Sequence, residues 1–265
     1  MDLTGKTALV TGANRGIGRA IAEELAARPL ATVLAGVRSP ESFEPVDPPP
    51  GGAAAVRPVQ MDLSSRETID AACDALGDEL GEIDLLVNNA GLMTGGLLEE
   101  QDMDEVYAMF QVNLLAVAHL THRVLPGLLA KGAGKVVNNA SISGFAYFPA
   151  ATTYAASKAG VVALTQSLRR ELRGTGVSTL LLVTPGVETD MLDATEDVYG
   201  RHMDTSGWDK MPAAEWAAKV VQAIESDAGE LGPGGKTGLA KLASHGPGWL
   251  LDAASSRMFS RRPRR

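Results

Sequence analysis

A short strand pattern that runs into a glycine-rich turn and then into a helical stripe limits what this chain can become. Residues 6–10 read as a buried strand, and Ile17, Ile21 and Leu25 as the apolar face of a helix that Pro29 ends. Between them lies Thr11-Gly12-Ala13-Asn14-Arg15-Gly16-Ile17-Gly18. Glycines at 12, 16 and 18 allow a tight turn and a close backbone approach. Such a unit offers backbone N–H groups and a helix N-terminus to an anion. It is the opening of an open α/β sheet.

The alternation continues. Strands are expected at about residues 31–37, 55–61, 83–88, 135–140 and 177–183, with helices at about 65–80, 103–130, 154–172 and 212–226. The Pro- and Gly-rich stretch 39–55 reads as a surface loop, because the alternation resumes directly after it. The expected fold is one α/β domain over residues 1–265, with a doubly wound parallel sheet in the order 3-2-1-4-5-6 and room for an irregular seventh strand.

Totals exclude several classes. With 24 basic and 32 acidic residues the net charge is −8, which argues against general nucleic-acid binding. The single cysteine, Cys73, cannot form an intramolecular disulfide and suits a reducing cytoplasm. No apolar run reaches the ~18 residues of a membrane span, and the N-terminus lacks a signal-peptide pattern, so a cytoplasmic protein is expected. His119 and His122 have no evident partner, and no metal site is expected.

Residues 136–172 carry the chemistry. Tyr154 and Lys158 are four apart, so on a helix they share one face. An ammonium beside a phenol favours the phenolate and lowers a pKa normally ~10. Ser141 closes the preceding apolar strand, 13 residues before Tyr154, and its hydroxyl could bond a carbonyl oxygen. Phenol, ammonium and hydroxyl together can move a proton on and off such an oxygen.

Three further patterns accompany this set: the T-G-x-x-x-G-x-G spacing of residues 11–18, the turn Asn88-Asn89-Ala90-Gly91 and the turn Pro185-Gly186. With them, residues 1–191 resemble the short-chain dehydrogenase/reductase family. The resemblance implies Tyr154 as catalytic acid/base, Lys158 as its activator, Ser141 as the hydroxyl that positions the carbonyl, and Asn113 in a proton relay. It implies a dinucleotide held by Gly12, Asn14, Arg15, Gly16, Ile17, Gly18, Asn89, Ala90, Gly91, Tyr154, Lys158, Pro185, Gly186 and Thr189. Asp62 and Leu63 would meet the adenine, although Asp62 reads equally well as a helix-start acid. Only two residues separate Pro185-Gly186 from Thr189, where the commoner family pattern has three.

Cofactor preference is read at the end of the second strand. An acidic residue there suits ribose hydroxyls, whereas an arginine suits a 2′-phosphate. Here Arg38 follows Val37, and no Asp or Glu comes before Glu41. Arg15 and Arg38 could clamp that phosphate bidentately, so NADP(H) is favoured over NAD(H).

Met93, Leu97, Phe145, Tyr147, Phe148 and Met191 suggest an apolar substrate mouth, or equally a piece of core, and Ser141 and Tyr154 would face the substrate there. Residues 190–211 resemble the family's substrate lid. Residues 230–265 depart from the family pattern and carry Arg257, Arg261, Arg262, Arg264 and Arg265. That stretch reads as a solvated tail, with an amphipathic segment that meets an anionic membrane surface or an acyl substrate as the lesser option. Without a regular last strand, a homodimer through the two long helices is expected more than a tetramer.

The expected function is NADP(H)-dependent reduction of a ketone or aldehyde, or the reverse, on a small and apolar substrate. The alternative is a catalytically silent NADP(H)-binding scaffold. That reading predicts loss of one of Ser141, Tyr154, Lys158 or Asn113, and all four are present.

Overall fold

The computed structural model describes residues 1–203, 210–234 and 259–261. The parallel sheet is built from β1 (Thr7–Thr11), β2 (Thr32–Val37), β3 (Ala55–Gln60), β4 (Leu85–Asn88), β5 (Gly134–Asn139), β6 (Val177–Leu182) and β9 (Glu230–Leu231). Their order is β3-β2-β1-β4-β5-β6-β9. The seventh strand therefore exists, but it has only two residues, set against Leu181 and Leu182. A second parallel pair, β7 (Gly186–Val187) with β8 (Lys210–Met211), brackets α7 (Asp190–Tyr199).

Helices cover both faces, and the alternation along each strand decides which side chain meets which layer. Val10, Val33, Val87 and Val137 pack with Ile21 and Leu25 of α1 (Gly16–Ala26) and with Trp216 and Val220 of α8 (Ala213–Glu225). Leu9, Leu34, Leu86 and Val136 turn the other way. They meet Ile69 of α2 (Arg66–Leu76) and Leu120, Val124 and Leu128 of α5 (Ala116–Lys131).

Local chemistry adjusts the expected boundaries. Ser65 accepts from Thr68 N at 3.1 Å while its own N–H donates to Thr68 Oγ1 at 3.2 Å, which fixes the start of α2. Gly77, at φ +55°, ends it, and a short α3 (Glu79–Glu82) replaces the last turn of the expected long helix. The helix expected over 103–130 is a run of α4 (Met103–Phe110), a π-helical turn at Gln111–Leu115, and α5. By length and composition alone this run passes for a membrane-crossing helix. Its inward face is core, however, packed on the sheet through Leu120, Val124 and Leu128. His119 has a partner after all: Nε2 lies 3.0 Å from Asp70 Oδ1, beside Arg123, which bonds both Asp70 and Asp74 and ties α5 to α2. Cys73 is buried in the same layer, and burial pushes its thiol up to about 11, as befits a packed side chain.

The central strands are also joined by a buried polar ladder. Asn88 Nδ2 donates to Thr121 Oγ1 at 3.1 Å and to Asn138 Oδ1 at 2.9 Å. Asn138 Nδ2 donates in turn to Thr165 Oγ1 at 2.9 Å, on α6 (Thr152–Glu171). Asn138→Ala would remove one buried partner each from Asn88 and Thr165, leaving Asn88 to Thr121 and Thr165 to Val161 O. The expected loss is roughly 2–4 kcal/mol of stability, measured as a lower urea midpoint at unchanged slope.

Candidate active site

Parallel pairing puts the ends of β1, β4, β5 and β6 side by side, and the site is built at that edge. Beyond β1, Gly12 takes φ +66° and its N–H donates to Gly36 O at 2.9 Å. A Cβ on Gly18 would overlap the Gly12 carbonyl oxygen and the Asn89 amide nitrogen, so only glycine lets α1 start this close to the turn. The first residue flanking α1, Arg15, supplies no side-chain cap, and the first turn holds no acid. The helix N-terminus is thus left open to an anion.

A cavity of about 1080 Å³ runs from this loop to Tyr154. All the residues expected to hold the dinucleotide line it, from Gly12, Asn14, Arg15, Gly16, Ile17 and Gly18 through Arg38, Asp62, Leu63, Asn89, Ala90 and Gly91 to Pro185, Gly186 and Thr189. Arg38 is exposed at its rim. Arg15, also exposed, reaches Asp190 at 3.6 Å. Asp62 accepts from Ser64 N at 3.0 Å, so it serves the local turn and still borders the cavity. In the shortened turn, Thr189 accepts from Leu192 N at 3.3 Å at the start of α7, and its methyl would lie 3.2 Å from a Cβ on Gly16.

Ser141 leaves β5 and caps a single 3-10 turn, accepting from Ser143 N at 3.2 Å. Tyr154 and Lys158 stand one turn apart on α6, both buried, with Nζ 5.9 Å from the phenol ring centroid. The expected lowering of the phenol by this ammonium is not found. Burial pushes Tyr154 up to about 12, and a hydrogen bond with Ser141 works only partly against it. Burial likewise brings Lys158 down to about 8. Desolvation outweighs the pairing because the ammonium is turned to the Asn139 carbonyl, 2.9 Å away.

Asn113 lies in the π-helical turn, fully buried behind Gly91 and outside the cavity lining. Its Oδ1 accepts from Leu92 N at 2.8 Å, and its Nδ2 donates to Leu92 O at 2.9 Å and to Ser157 Oγ at 3.1 Å. The side-chain carbonyl thus receives the Leu92 N–H, and the amide holds the 91–92 loop. Ser157, to which the sequence assigned no role, donates to Tyr154 O at 2.8 Å and joins Asn113 to α6. Its place three residues after Tyr154 was the available clue.

The apolar mouth is narrower than expected. Met93, Phe148 and Met191 line the cavity. Phe145 packs with Val161 and Leu181, Leu97 is buried outside the lining, and Tyr147 is exposed. Two residues that the sequence did not mark complete it. Tyr199, buried at the end of α7, and Met203 cluster with Met93, Phe148, Ala150 and Ala151. Burial and the neighbouring Tyr154 both push the Tyr199 phenol up. Residues 259–261 make contacts beside it: Phe259 bridges Met203, Ser260 N donates to His202 O at 2.8 Å, and Arg261 pairs with Glu99. The other four C-terminal arginines, and the amphipathic segment considered for them, lie outside the described residues.

Residues 6–199 match the family model for short chain dehydrogenases. Among curated relatives, 3-oxoacyl-acyl-carrier-protein reductase FabG of Vibrio harveyi is 41% identical over 206 residues, 74% of this chain and 80% of that protein. Ketoacyl reductase HetN of Nostoc is 38% identical over 188 residues, 69% of this chain and 64% of that protein. Among solved structures, a short chain dehydrogenase from Burkholderia cenocepacia in complex with NADP superposes with a TM-score of 0.80 at 27% identity, covering 96% of this chain and 99% of that one. A metagenomic short-chain oxidoreductase in complex with NADP gives 0.69 at 29%, covering 88% and 98%. The chain belongs to the short chain dehydrogenase family.

Proposed function

We propose that this oxidoreductase uses NADP(H) to reduce an apolar ketone or aldehyde to the alcohol, or catalyses the reverse. The observation that carries the reading is the single cavity that joins the uncapped N-terminus of α1 to the buried phenol of Tyr154. The residues present fit the cofactor. Gly12 and Gly18 leave room for backbone approach, and Arg15 and Arg38 stand where a 2′-phosphate would need cations. When bound, NADP(H) supplies the hydride for reduction or accepts it in the reverse reaction.

The protein's own groups do the rest. Tyr154 is protonated at neutral pH, so in reduction it donates to the developing alkoxide. Ser141, hydrogen-bonded to the phenol, orients the same oxygen. Lys158 holds positive charge beneath them and would bind the ribose hydroxyls. Asn113, through Leu92 and Ser157, keeps the wall behind Lys158 in place. Met93, Phe148, Met191 and Tyr199 favour an apolar substrate, and the 3-oxoacyl group in the FabG relative's name belongs in the first substrate panel. Exposed Met103, Tyr107 and Leu115 on the α4–α5 run support a homodimer formed through these helices. We place the enzyme in the cytoplasm, in keeping with its single buried thiol.

Three outcomes test the proposal. Titration calorimetry should show NADPH binding more tightly than NADH by on the order of tenfold, with Arg38→Ala erasing the difference; equal binding in the parent protein sinks the cofactor choice. Tyr154→Phe should lower kcat for ketone reduction by about 10²–10⁴-fold while NADPH still binds. The Lys158 charge is present below about 8 and lost above it, so the reduction rate should fall as pH rises through that value. A rate flat from pH 7 to 9 would show that the charge is not used.

A further inference from the structure

The ends of four strands are linked by side-chain hydrogen bonds that strand pairing does not require. Asn89 Nδ2 donates to Thr11 O at 3.1 Å, Asn139 Nδ2 donates to Asn89 Oδ1 at 2.9 Å, and Thr184 Oγ1 donates to Asn139 Oδ1 at 2.5 Å. The first of these amides packs against Gly18 of the phosphate-type loop. At the middle of the chain, Asn139 uses both ends of its amide sideways and its main-chain carbonyl to receive Lys158 Nζ at 2.9 Å.

An apolar residue could fill this position, since β5 is already held on both sides by its ladders to β4 and β6. An asparagine and a threonine, both nearly fully buried, are costly there unless fully satisfied. They are satisfied by each other and by Asn89. The result is a brace on the one peptide group whose oxygen meets the lysine.

We propose that Asn139 is a positioning residue for Lys158: its side chain, braced between Asn89 and Thr184, holds the carbonyl that receives the ammonium. The proposal rests on Lys158 belonging to the catalytic site. A hydrogen bond to the charged form favours that form, and it weakens steeply as the donor and acceptor lose alignment. In the buried pocket of Lys158 this carbonyl offsets the desolvation that pulls the ammonium towards neutrality. Among the described residues, Tyr154 on its own helix and Gly91 after β4 lie near Lys158, and Asn113 lies beside Gly91. Of these only Tyr154 titrates, and it is protonated in the range that matters.

The test measures Lys158 itself in the full chain without cofactor, by isotope-coded acetylation across pH 6–11 with the Lys158 peptide quantified by mass spectrometry. Thr184→Val removes only the hydroxyl, Asn139→Val removes the whole brace but keeps the carbonyl, and Thr184→Ser restores a hydroxyl. Both valine variants should move the labelling midpoint below that of the parent protein by roughly half a unit or more, with the serine variant returning towards it. In steady state with NADPH, the alkaline limb of kcat should move down in step, while KM for NADPH changes by less than about threefold. If Asn139→Val does not fold, Thr184→Val decides. An unchanged midpoint in the valine variants overturns the proposal, even where turnover or stability falls, because it would leave the brace with a structural role alone. Failure of the parent protein to bind NADPH would instead overturn the functional reading, and the labelling comparison would still judge the brace.

Discussion

Parallel registration of β1 with β4, and of β4 with β5, is the constraint from which the site follows. Val10 is level with Val87, and Asn88 with Asn138, so the residues just past each strand emerge together on one edge. Thr11 can then accept Asn89 and Ala90 N–H groups at 3.0 Å through its hydroxyl, and the phosphate-type loop is fixed relative to the turn after β4. Ser141 and Thr184 reach the same edge because β5 and β6 continue the register. α6 adds the phenol and the ammonium from outside the sheet. A shift of one residue in any central pair would turn the polar ends into the core.

Desolvation sets the electrostatics at this edge. The phenol and the ammonium share a helix face, yet each is governed by burial more than by the other. Tyr154 is kept protonated, which suits a proton donor, and Lys158 is held near the point where it gives up its charge. The hydrogen bonds around them are local and directional: Ser141 on the phenol and the Asn139 carbonyl on the ammonium. Small displacements of those two partners would act directly on the phenol and the ammonium.

Much of this was legible in the sequence. The glycine turn and the Tyr154–Lys158 face follow from turn chemistry and spacing, which act over a few residues, and the strand order from the doubly wound topology that alternating strands and helices imply. The seventh strand was only half legible, because two residues of pairing leave no period to read. The π-helical turn around Asn113 and the break at Gly77 interrupt patterns that look continuous from composition alone. Ser157, Asn139, Thr184 and Tyr199 escaped for a common reason. Their roles depend on partners 44, 50, 45 and 105 positions away in the chain, and nothing local announces such a partner. The lowering of the phenol failed as an expectation because burial depth cannot be read from a spacing of four.

The division of the cavity between two kinds of support has an evolutionary meaning. The half that meets the phosphate-type loop and Tyr154 is walled by the central sheet, where a substitution disturbs several strands at once. The other half is walled by Tyr199 and Met203, on a segment anchored through the two-residue strands β7 and β8 and the 259–261 contact. Away from Tyr199, which neighbours Tyr154, changes on α7 can therefore accumulate without touching the proton-moving groups. A lineage carrying this scaffold can drift from one carbonyl compound to another through that segment alone, with its chemistry held constant.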